Sequence, residues 1–126
     1  MKGTTDIYQE RAACPLYTAI AVIDGRWKPM IYQRLLTGPH GFAELRRTMP
    51  RLTTKVLRQQ LRQMVADDLV LAQQLEPPHL GVRYRVTPYG RSLMPVFTVL
   101  WRWGRHHITR RNAGRGTIAS ATATVD

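Results

Sequence analysis

The sequence predicts a mainly α-helical domain carrying one small β-hairpin, and three observations lead there. Apolar residues recur at helical spacing in successive stretches between Pro15 and His107. The period changes to two in the segments 69–75 and 82–87. Proline and glycine stand at the junctions between stretches, where they break or start elements. The chain has 126 residues, room for one domain with short extensions, and 44% hydrophobic residues, enough for a core.

Residues 1–13 are polar and mixed and read as an N-terminal arm. Cys14-Pro15 puts proline at a first helical position. Leu16, Ala19, Ile20 and Ile23 then recur at helical spacing until Asp24-Gly25. The second helix carries Trp27, Met30, Ile31, Leu35 and Leu36, with Pro29 tolerated in its first turn and Gly38-Pro39 as its stop. A third helix sets Phe42, Leu45 and Met49 on one face with Arg46 and Arg47 turned away, and Pro50 ends it.

After the tight turn Pro50-Arg51-Leu52, Thr53 caps a fourth helix. Leu57, Leu61 and Met64 form its core stripe, flanked by Val56 and Val65, while Lys55, Arg58, Gln59 and Arg62 recur on the opposite face. The strands 69–75 and 82–87 enclose Pro77, Pro78 and Gly81, and Arg83 and Arg85 alternate with Val82, Tyr84 and Val86. From Pro88 a last helix with Leu93, Val96, Phe97, Leu100 and Trp103 is expected to reach about His107, bent at Pro95. Residues 14–108 form the expected domain. Residues 109–126, rich in Thr, Ala, Gly and Ser with Arg110, Arg111 and Arg115, read as a disordered basic tail.

The formal net charge is +11, and sixteen arginines accompany three lysines. A polyanionic partner follows. Arginine favours planar, two-pronged contacts with phosphates and guanine edges, although GC-rich coding produces the same bias. A single cysteine excludes an intrachain disulfide, and no apolar run approaches the roughly 20 residues of a membrane span. With no apolar secretory region near the N-terminus, a cytoplasmic, nucleoid-associated location is expected, with no membrane partner.

Two helices joined by a tight turn, followed by a hairpin with arginines on one face, is the order of elements in a winged helix-turn-helix. The major groove of duplex DNA, about 12 Å wide, admits one helix. The fourth helix is therefore the candidate reader, with Thr54, Lys55, Arg58, Gln59 and Arg62 toward base edges. Arg46, Arg47, Arg51 and Thr53 are the candidate phosphate contacts that set register, Thr53 acting more as a cap than as a reader. Arg83 and Arg85 of the wing are expected to reach flanking backbone or minor groove, the alternative being the wet side of a hairpin.

Co-linear with this order are Cys14-Pro15, Asp24-Gly25-Arg26-Trp27-Lys28, Leu35-Leu36 with Gly38-Pro39, and residues 42–47, Phe-Ala-Glu-Leu-Arg-Arg. Leu52-Thr53-Thr54-Lys55-Val56-Leu57, Gln60-Leu61, Asp68-Leu69-Val70, residues 84–90 (Tyr-Arg-Val-Thr-Pro-Tyr-Gly) and Leu93-Met94-Pro95 continue the set. On these residues, over about 14–107, the chain resembles the HxlR-type (MarR-like) winged-helix regulators of bacteria. The resemblance implies a dimeric cytoplasmic transcription regulator, by family habit a repressor, whose N-terminal and last helices form the dimer interface. Asp68 stands where the family usually has glycine, and aspartate tolerates the left-handed backbone that such a turn needs. Arg26 replaces the usual lysine, a mild change.

The last helix also carries more apolar surface than a small winged core covers. Tyr17 and Ile20 of the first helix with Leu93, Val96, Phe97, Leu100, Trp101 and Trp103 are the candidate interface of a homodimer. Two-fold pairing sets two reading helices about 34 Å apart, so the expected operator is a double-stranded inverted repeat.

Cys14 has two readings. At a helix N-terminus the dipole and free amides favour a thiolate, and the resemblance implies that some relatives with cysteine there sense oxidants or quinones. The alternative is a small buried apolar residue. No cofactor or metal is expected, because His40, His79, His106 and His107 are scattered apart from one adjacent pair whose side chains diverge on a helix. No catalytic constellation of acid, base and nucleophile is visible, so an enzyme is not expected. A winged helix used for protein contact or RNA binding is the competing class. It would present an acidic or apolar reading face, where this one is cationic with an amide.

Overall fold

The computed structural model describes residues 14–120, so the expected arm 1–13 and residues 121–126 of the expected tail lie outside the described residues. The described chain comprises two compact units that divide between Arg91 and Ser92. The first contains α1 (Pro15–Ile23), α2 (Lys28–Leu36), β1 (His40–Gly41), α3 (Phe42–Thr48), α4 (Thr54–Ala66), β2 (Val70–Gln74), β3 (Val82–Val86) and the short α5 (Pro88–Arg91). The second is the single helix α6 (Met94–Ser120).

In the first unit the strands form an antiparallel sheet in the order β1-β3-β2, with Val70 opposite Val86 and His40 opposite Tyr84. The expected hairpin is β2–β3. The two-residue β1 was not expected, since Gly38-Pro39 reads only as a stop and two residues show no alternation.

One core unites α2, α3, α4 and the sheet. Ile31, Tyr32 and Leu35 of α2, Leu45 of α3, Met49 and Leu52 of the turn, Leu57, Leu61 and Met64 of α4, and Leu69, Val70 and Val86 around the sheet are all buried. Pro29 lies in the first turn of α2, where its missing N–H costs nothing. In contrast α1, though composed mostly of apolar residues, buries none of them.

A knot of polar contacts fixes the end of the wing. Asp68 takes the left-handed conformation with φ 62°, as expected of the turn that follows α4. The Thr87 hydroxyl donates to the Asp68 carbonyl at 2.6 Å and accepts from the Gly90 N–H at 2.7 Å. The buried Tyr32 hydroxyl donates to the Gly90 carbonyl at 2.6 Å. Burial raises the Tyr32 pKa above its ordinary 10.0 and the Arg91 charge opposes that shift, so this contribution to stability is intact below pH 10 and is lost as pH rises through the folded value.

Two expectations about the C-terminal part are corrected. The last helix does not run from Pro88 with a bend at Pro95; it breaks after Arg91 and restarts at Met94. Pro95 is then the second residue of α6, a first-turn position that needs no N–H partner. Nor does helix stop near residue 108, because α6 continues to Ser120 where disorder was expected. Over residues 109–120 three arginines and two alanines favour helix, against two glycines and two threonines that do not. Stacking one turn apart adds to this, with Trp103 and His107 ring centroids 4.9 Å apart and the Arg105 guanidinium 4.9 Å from the Trp101 ring.

Gly90 has no room for a side chain, since a Cβ there overlaps the Leu69 carbonyl oxygen and comes within 2.9 Å of Val86 Cγ1. Gly90→Ala is expected to lower unfolding stability by about 1–3 kcal/mol through overpacking, measured by urea denaturation. An unchanged midpoint would show that this junction yields freely and does not fix the wing.

Candidate nucleic-acid interface

The α4 helix owes its position to one face. Leu57, Leu61 and Met64 recur at helical spacing and bury, which turns Thr54, Lys55, Arg58, Gln59 and Arg62 outward, and all five are exposed. Its start is fixed by Thr53, whose side-chain oxygen accepts from the Val56 N–H at 3.1 Å. Thr53 is thus a cap. Arg58 is not a free surface side chain, since its guanidinium lies 4.8 Å from the centroid of the Phe42 ring on α3. That contact restricts the rotamers of Arg58 while leaving its outer edge open.

The arginines before α4 divide. Arg46 donates to the Leu52 carbonyl in the α3–α4 turn and is half-buried, so it ties the turn together. Arg47 and Arg51 are exposed on either side of that turn. The wing arginines divide in the same way. Arg83 Nη2 donates to the Pro39 carbonyl at 2.9 Å and lies 3.3 Å from Glu44 Oε1 on α3, whereas Arg85 is exposed.

Glu44 is the residue that the sequence reading passed over. It sits three residues after Gly41, the N-cap of α3, and its Oε1 accepts from the Gly41 N–H at 3.0 Å, one half of a capping box. The Gly41 hydrogen bond, the largest effect, holds its carboxyl below the ordinary 4.5; burial opposes it, and the charges of Arg83, His40 and Arg47 add to the lowering. Its stabilising contribution is therefore present above that value and lost as pH falls through the folded one. The spacing Gly41-x-x-Glu44 was the available signal.

Gln60, on the inner side of α4, is half-buried, and its Oε1 has no hydrogen-bond partner among the described residues. That oxygen lies against Gly25 in the α1–α2 turn, 3.6 Å from where a Cβ would stand. At the start of α1, Cys14 is the N-cap residue; its thiol is exposed and makes no capping bond. The reading of Cys14 as a small buried residue does not hold in the single chain. Of the residues expected at a dimer interface, Tyr17 and Ile20 on α1 and Val96, Leu100, Trp101 and Trp103 on α6 are exposed, and Leu93 and Phe97 are half-buried. No described helix is long and apolar enough to cross a membrane.

The geometry is that of a winged helix whose α4 is exposed and cationic on one face, and residues 22–112 match the family model described as HxlR-like helix-turn-helix. The chain belongs to that family. A Bacillus subtilis relative, an HTH-type transcriptional regulator called YtcD, is 40% identical over 93 residues, covering 72% of each chain. The solved structure of the redox regulator HypR in its reduced form matches with a TM-score of 0.73 at 29% identity, over 79% of this chain and 99% of that one. The quinone-bound YodB from B. subtilis matches with a TM-score of 0.65 at 29% identity, over 74% of this chain and 98% of that one. As a member of the HxlR-like family, the protein is a DNA-binding transcription regulator of winged helix-turn-helix type.

The different settings of Arg83 and Arg85 lead to different outcomes. Arg85→Ala is expected to lower the magnitude of the salt slope of DNA binding by about one unit. Arg83→Ala is expected to lower it less and to lower the melting temperature, with a loss that is not additive with that of Glu44→Gln. A full unit of slope lost in Arg83→Ala at unchanged melting temperature would make Arg83 a phosphate contact and not a strut.

Proposed function

We propose that the protein acts as a homodimer on an inverted-repeat operator, with Thr54, Lys55, Arg58, Gln59 and Arg62 of α4 reading bases in the major groove. The observation that carries this reading is the division of α4 into a buried apolar stripe and an exposed face of cations and one amide. Arginine suits guanine and glutamine suits adenine in that groove. Arg47 and Arg51 flank the helix start as phosphate contacts, Arg85 adds a wing contact, and Arg46 and Arg83 act through the turn and the wing they brace. The protein works in the cytoplasm as a regulator and not as an enzyme.

A second chain is the cover for the exposed apolar surface. Leu16 on α1 is 69% exposed, and on α6 Trp101 and Trp103 are 57% and 64% exposed. Large apolar patches of this kind mark protein interfaces. In this reading α1 and the first half of α6 bury these residues across a two-fold axis.

The exposed Cys14 thiol supports a response to oxidants or quinones, in line with the redox regulator HypR and the quinone-bound YodB. With one cysteine in the chain, the modification is a disulfide to another chain's thiol, a mixed disulfide with a small thiol, or an alkylated adduct.

Arg58→Ala and Gln59→Ala are expected to weaken operator binding by about 1–3 kcal/mol each and to relax base preference. Titration on the operator and on random duplex separates the cases, since equal losses on both would make these residues phosphate contacts. Oxidant or quinone is expected to release DNA from the wild type and to leave Cys14→Ser bound. Identical responses of the two proteins would remove Cys14 from the regulation.

A further inference from the structure

The α6 helix changes character along its length. Its first part exposes Val96, Leu100, Trp101 and Trp103, which the reading above gives to a second chain, together with Met94 and Val99. From residue 102 to residue 115 it carries Arg102, Arg105, Arg110, Arg111 and Arg115, all exposed, and no Asp or Glu. None of these five has an ion-pair partner among the described residues; Arg105 rests over the Trp101 ring. The stretch also runs past residue 112, where the match to the family model ends.

Uncompensated like charges on one helix repel, and Arg111 and Arg115 stand one turn apart on the same face. A polyanion removes that repulsion. Fourteen helical residues span about 20 Å, the length of about six base pairs of duplex. Because the arginines are spread around the helix, about two or three meet the backbone of one duplex at a time. Their guanidiniums suit phosphate oxygens bidentately. An anionic membrane fits less well, since over this stretch Trp103 and Ile108 are the large apolar side chains exposed, with no apolar stripe to enter lipid.

We infer that the basic part of α6 is a second DNA-binding surface, gripping phosphates without reading bases. The inference rests on α4 docking the duplex, since it is a second contact made by a chain already held on DNA. The second grip raises affinity for all sequences and leaves the choice of operator to α4.

The test uses the full chain, a mixed-sequence duplex of about forty base pairs, and anisotropy titrations over a range of KCl. The triple variant Arg110→Gln, Arg111→Gln, Arg115→Gln keeps helix propensity and is expected to lose about two to three units of salt slope and more than tenfold in affinity at low salt. A control with the same net charge, Arg26→Gln, Arg34→Gln, Arg91→Gln, is expected to stay within about one unit of the wild type. Replacing the three tail arginines by lysine is expected to restore the slope, and failure to do so overturns the phosphate grip. A wild-type slope in the tail variant, or equal losses in tail and control variants, overturns the inference too. In that event a loss of binding by Arg58→Gln, Arg62→Gln still upholds α4 as the docking element, whereas a wild type that binds no duplex overturns both readings.

Discussion

Burial of Leu57, Leu61 and Met64 is the contact on which the functional surface depends. These three residues hold α4 by a single stripe, which leaves its other side open, as the proposed docking in a DNA groove requires. Their partners in the core come from α2, α3 and the sheet, so the orientation of the reading face is set by the whole first unit. Fully burying each such side chain is worth roughly 1.5–3 kcal/mol, far more than any contact on the exposed face contributes to the fold. The exposed face is consequently free to carry like charges, and in the proposed reading these meet their partners on DNA.

The polar contacts around this core do a different job, which is alignment. Thr53 fixes the first turn of α4, Arg46 closes the turn before it, and Arg58 is steered by the Phe42 ring. On the wing side, Glu44 and the Pro39 carbonyl engage Arg83, while Thr87, Tyr32 and the crowded Gly90 hold the far end of β3. Each contact removes a freedom that docking on DNA would otherwise have to restrict at the time of binding. Several cations in a basic protein thereby become struts, and the net charge of +11 overstates the number of groups available to phosphate.

Where a periodic pattern extended over several turns or a whole strand, the element was legible from the residues. The α4 stripe, the β2–β3 alternation and the left-handed Asp68 turn are of this kind, because side-chain spacing and backbone sterics are local facts. Features that depend on partners distant in sequence were not legible. The two residues of β1 become a strand only by pairing with β3, and Arg83 differs from Arg85 only because Glu44 and Pro39 lie beside it. The helical course of α6 beyond residue 108 was not legible, because the apolar stripe ends there and glycines and threonines follow. The partnerless oxygen of Gln60 could not be foreseen from its place in the helix either, since its environment is set by the α1–α2 turn.

Exposed apolar residues on α1 and α6 and a single reading helix per chain together make two-fold pairing the central claim. Hydroxyl-radical footprinting of the full chain on its operator tests it most directly. Two-fold pairing predicts two protected tracts, related by a dyad and centred about 34 Å apart along the duplex, over the halves of an inverted repeat. A single protected tract without dyad symmetry would contradict it.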